Sequence, residues 1–89
     1  MSVSSEFQRI VSECVALLRR RRVEARGLEE ALSAALVLGR ADLSLGAERA
    51  LAILDDPKRV PRFGSDLELA EFQRAAEHAR AICHAVLGR

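Results

Sequence analysis

Ser65 to Leu87, SDLELAEFQRAAEHARAICHAVL, carries one unbroken helical period, and no other stretch restricts the fold as tightly. Leu69, Phe72, Ala76, Ala79, Cys83 and Val86 recur at alternating steps of three and four, with Ala75 and Ile82 widening the same face. Gln73, Arg74, Glu77, Arg80 and His84 fall on the other side. Ser65 followed by Glu68 is the pattern of a capping box, and the acids of the first turn, Asp66 and Glu68, complement the positive end of the helix dipole. The apolar face is narrow and rich in alanine, which suits close contact with another helix, either within this chain or on a second copy.

The same period marks a first helix. Ser5 and Gln8 form its expected capping box; Phe7, Ile10, Val11, Cys14, Leu17 and Leu18 line its inner face, and Gln8, Arg9, Ser12, Glu13 and Arg20 its outer one. Past Leu18 the helix either ends at Arg19-Arg20-Arg21-Arg22 or continues with Arg21 snorkelling its charge out of the apolar face. Gly27 separates it from a second helix whose first turn holds Glu29 and Glu30. The run Ala31 to Leu38 is apolar on nearly every side, so this helix is expected to sit centrally, buried on most of its surface, and to end at Gly39. A short connection, Arg40 to Ser44, offers Asp42 or Ser44 as cap of a third helix with Leu43, Ala47, Ala50, Leu51 and Leu54 inward and Glu48 and Arg49 outward. Pro57 stops that helix near Asp55. The segment from Asp56 to Gly64, with two prolines, a glycine and three basic residues, is the one loop of any length.

These elements define an all-α fold, a compact bundle of about four helices with two long ones flanking two short ones, in a single domain over residues 1–89. Eighty-nine residues leave no room for a second core. Three Phe and no Trp or Tyr mean that the core is built from Leu, Ala, Val and Ile, which pack helix on helix. The competing arrangement is a two-helix hairpin that completes its core by dimerisation through the alanine face of the last helix.

The function classes are narrowed by what the pattern lacks. No glycine-rich phosphate loop, no G-x-S-x-G and no pair of carboxylates in an apolar setting is present, so no catalytic residue, cofactor or small-molecule substrate is expected. His78 and His84 lie on opposite edges of the last apolar stripe, no C-x-x-C or H-x-x-x-H spacing occurs, and no metal is expected. Cys14 and Cys83 fall on apolar faces and read as buried free thiols. Nothing in MSVSSEF has the form of a signal peptide and no apolar run reaches the length of a membrane span, so the expected compartment is the cytoplasm.

What remains is surface charge. The net charge is only +1, so attraction to nucleic acid has to be local. The local features are the cluster Arg19, Arg20, Arg21, Arg22 and Arg26; the acidic helix end Asp55-Asp56, with Glu29 and Glu30; and the basic loop residues Lys58, Arg59 and Arg62 around Phe63. Phe63 reads first as a staple folded onto the start of the last helix and otherwise as an anchor for a partner. Opposite patches on one small domain suit docking onto another protein or head to tail onto a copy of itself. The leading expectation is therefore a non-enzymatic protein-protein interaction module, an adaptor or regulatory subunit of a bacterial complex. A small nucleic-acid-binding regulator using Arg19 to Arg22 is the alternative. In size, helical content and opposed charge patches the chain is also similar to death-fold adaptor domains, including caspase-recruitment-like modules. That resemblance is architectural and implies homotypic assembly, but those domains divide into six helices, whereas Ser65 to Leu87 shows no break.

Overall fold

Helix signals and helix stops follow one another along the chain, and the computed structural model, which describes residues 2–21 and 27–89 without the side chain of Arg21, realises them as four α-helices. These are α1 (Val3–Arg21), α2 (Leu28–Ala41), α3 (Leu43–Leu54) and α4 (Asp66–Leu87), with one 3-10 turn at Pro57–Arg59. Each helix packs on its neighbours in sequence, and α1 also packs along α4, which closes a four-membered ring. The resulting all-α bundle measures 34 × 21 × 21 Å.

Helix α1 starts earlier than its expected cap. The Ser5 N–H donates to Ser2 Oγ at 3.1 Å, so Ser2 caps the helix and Ser5 lies inside it. Gln8, assigned above to the outer face, instead donates from Nε2 to the carbonyl oxygen of Leu36 on α2 at 3.1 Å and is half-buried. The expected inner face is buried in full, joined by Val15. The helix runs on through Arg21. Residues 22–26 lie outside the described residues.

Gly27 precedes α2 with φ +77°, a left-handed conformation that costs a residue without Cβ little. Helix α2 is not central. Leu28, Leu32, Ala35, Leu36 and Gly39 are buried against α1 and α3, but Ala34 and Val37 face outward, and Val37 is 63% exposed. Nor does Gly39 end it; the helix continues to Ala41, and Gly39 is a buried contact point for Phe7 and for Gly46 of α3. The connection to α3 is Asp42 alone. Its N–H donates to the Leu38 carbonyl at 2.8 Å while its carboxylate accepts from Leu45 N at 3.2 Å, so one residue closes α2 and caps α3.

Helix α3 buries Ala47 and Ala50 as expected and also Gly46 and Ile53, while Leu43, Leu51 and Leu54 are half-buried. It ends at Asp55, ahead of Pro57. Asp56 then caps the 3-10 turn by accepting from Lys58 N at 2.9 Å. Ser65 Oγ accepts from Glu68 N at 3.2 Å, and α4 runs unbroken to a left-handed Gly88. Its alanine face, Ala75, Ala76 and Ala79, is buried beneath helices of the same chain together with Phe72 and Cys83. The face that a second copy was expected to compete for is thus already covered.

Candidate functional site

The charged residues singled out in the sequence divide into those that the fold pairs internally and those that it leaves at the surface. Arg19, at the end of α1, bonds through Nε to Glu29 Oε1 in the first turn of α2. Arg80, placed above on the outer face of α4, turns back to α3. Its Nη2 donates to the Leu54 carbonyl and its Nε to Asp55 Oδ1, both at 2.9 Å. Asp56 meets Arg59 at 3.4 Å, and Glu48 meets Arg89 at 3.1 Å. The acidic patch at Asp55-Asp56 and the Glu29 carboxylate therefore carry arginine partners from their own chain, which weakens them as contacts for another molecule.

Lys58 and Arg62 are exposed on the loop and make no ion pair among the described residues. Phe63 does not stand out from that loop. Its ring lies 5.4 Å from the ring of Phe72, tilted by 39°, so it folds onto the core one turn deeper than an ordinary staple contact. Beneath this strap is a small cleft of about 170 Å³ with Leu28, Leu54, Leu69 and Phe72 on its floor and Arg59 and Val60 at its rim. Arg22 and Arg26, and the side chain of Arg21, lie outside the described residues.

Arg20 belongs to a different feature, a groove of about 540 Å³ between α1 and α2 that the sequence reading did not identify. Val15 and Ala16 of α1 and Leu36 and Val37 of α2 form its apolar floor, and Arg19, Arg20 and Arg40 stand along its edges. No acidic side chain among the described residues lines it. Among the described residues, neither Arg20 nor Arg40 is ion-paired. The residues on each helix that face the groove, 12–20 on α1 and 33–40 on α2, cover roughly two turns, about 12 Å of axis.

The two cysteines are fully buried and unpaired, one on α1 and one on α4. Burial pushes the Cys14 thiol up to about 12, with the Glu13 charge adding to the rise and Arg80 opposing it. Burial followed by the Asp55 charge pushes Cys83 to about 11. Both are protonated packing residues at neutral pH, not nucleophiles. His78 and His84 are exposed, and no group of three His, Cys, Asp or Glu side chains among the described residues is placed to hold a metal ion. No helix among the described residues is long and apolar enough to cross a membrane.

No protein-family model matches this chain, and no curated protein or solved structure matches it either.

Proposed function

We propose that this chain is a non-enzymatic protein-interaction module, an adaptor or regulatory subunit, whose α1–α2 groove takes an acidic amphipathic segment of a protein chain. The observation that carries the reading is Val37, 63% exposed on a helix whose other large apolar side chains are covered or half-covered, and placed in one groove with Arg20 and Arg40. Exposed apolar surface bordered by charge marks a contact site, and arginine beside an apolar pocket is a common ingredient of binding hot spots. The apolar floor favours protein over nucleic acid, since a phosphate backbone gains nothing from Val15, Leu36 and Val37. Two buried free thiols suit a reducing compartment, and we place the protein in the cytoplasm.

The test is a fluorescence-anisotropy titration with a labelled synthetic helical peptide that has leucine and alanine on one face and glutamate on its flanks. Saturable binding is expected, weakened about tenfold or more by Val37→Glu and by the pair Arg20→Glu and Arg40→Glu, with unchanged melting temperature. Equal binding by these variants overturns the reading. So does tighter binding to generic duplex DNA with a steep loss as salt rises, which identifies the arginines as phosphate contacts.

A further inference from the structure

A groove with a basic edge raises the question of what fills it, and the chain itself carries a surface of matching form. Leu67, in the first turn of α4, is 83% exposed, the most exposed large apolar side chain among the described residues. It points away from the α4 face that buries Phe72, Ala75 and Ala76. Over residues 66–71 this turn holds three acids, Asp66, Glu68 and Glu71, and no base. The result is one protruding leucine beside the exposed carboxylate of Asp66. Between α1 and α2 lies an apolar trough of about 540 Å³ edged by three arginines and, among the described residues, lined by no acid; Arg20 at its edge also lines a shallow depression with Glu13 and Glu71.

We propose that the occupant of the groove is a second copy of this chain, with Leu67 of one copy seated on Val37 and Leu36 of the next and Asp66 facing Arg20 and Arg40. This rests on the reading of the groove as a docking surface and names its partner. Because knob and groove are different surfaces, the contact is heterologous: each copy that offers its leucine leaves its own groove open for another. The assembly therefore grows head to tail as concentration rises. Its contact is small, so association is weak, and its charged edge makes it weaken as salt is added.

Sedimentation velocity from micromolar to millimolar protein tests this. The wild-type chain is expected to show a sedimentation coefficient that climbs with concentration and falls back with added salt. Leu67→Glu and Val37→Glu, both at exposed positions, are each expected to stay monomeric with unchanged melting temperatures. Mixed in equal amounts, they are expected to form a dimer and stop there, because the first retains an intact groove and the second an intact knob. A wild-type chain that stays monomeric at millimolar concentration overturns the proposal. Variants that associate like wild type, or a mixture that stays monomeric, do the same. The acidic-peptide titration on Leu67→Glu separates this failure from failure of the groove itself: binding there keeps the docking surface and removes only the second copy as its occupant.

Discussion

Gly46 of α3 lies against Gly39 of α2 so closely that a methyl group on Gly46 would sit 2.7 Å from the Gly39 amide nitrogen and 3.0 Å from the Ala35 carbonyl oxygen. These are backbone atoms that cannot rotate away, so Gly46→Ala has to push two helices apart within one turn of the single-residue hinge at Asp42. Overpacking of this kind costs about 1–3 kcal/mol, partly offset by up to about 1 kcal/mol from the better helix propensity of alanine. The expected outcome is a melting temperature lower by several degrees. Gly64→Ala, whose methyl would meet only Glu68 Oε2 at an ordinary 3.7 Å, is the control and should leave it unchanged. Equal melting of the two variants contradicts the close helix contact.

Gly39 has a different neighbour. Its added methyl would lie 2.6 Å from Cε1 of Phe7, a ring that is fully buried. Gly39→Ala is therefore expected to destabilise, and trimming the ring with Phe7→Leu should recover part of the loss. In a double-mutant cycle the two changes should couple by about 0.5–3 kcal/mol, and strict additivity would argue against the contact.

The buried thiols predict an alkaline weakness. Both folded-state pKa values lie above the ordinary 9.0, at about 12 for Cys14 and about 11 for Cys83. The unfolded chain therefore releases its protons first as pH rises. Stability is fully present below pH 9 and declines from there toward pH 11–12, by about 1.4 kcal/mol per pH unit for each thiol. With no tyrosine and a single lysine, Lys58, few other side chains titrate in that range. Urea melts between pH 8 and 11 should show the decline, and the double variant Cys14→Ala, Cys83→Ala should lose most of the slope while starting from a lower stability. A slope unchanged in that variant removes the thiols as its cause.

Arg80 ties α4 to the end of α3 by two hydrogen bonds, one to an otherwise open helix-terminal carbonyl. Its side chain is 38% exposed and that of Asp55 56%, so the ion pair itself adds little in water. Arg80→Ala is expected to cost about 1–2 kcal/mol, mostly through the Leu54 carbonyl and lost packing of the aliphatic stem, whereas Asp55→Asn should cost less than about 1 kcal/mol. Chemical denaturation of the two variants measures the difference, and equal losses would place the stabilisation in the charge pair instead.

The helices were legible because apolar period and capping residues coincide: Phe7 to Leu18 and Leu69 to Val86 fall on faces that are in fact buried or half-buried, and Ser65 caps α4 as its spacing implies. The bundle of two long and two short helices follows from those stretches. The groove is not legible, because apolarity on all sides of Ala31 to Leu38 points to burial. Among the described residues of this ring of four helices, α2 packs mainly against α1 and α3, and Val37 is left outside. The surplus apolarity of that helix was the available signal for exposed apolar surface. Gly39 and Gly46 were missed for a related reason, since a glycine inside a helix is indistinguishable in sequence from a stop until the opposing backbone is known. The pairing of Arg80 with Asp55 and of Arg19 with Glu29 joins separate helices, which no local period reports.

We propose the α1–α2 groove as the surface that receives another protein chain. The most direct measurement is an amide ¹H–¹⁵N correlation titration of the isotope-labelled Leu67→Glu variant, held monomeric, with the acidic helical peptide. The predicted result is a saturable set of shifts centred on Val15, Ala16, Leu36, Val37 and Arg40. Shifts confined to Lys58 through Phe63, or none at peptide concentrations in the millimolar range, would contradict it.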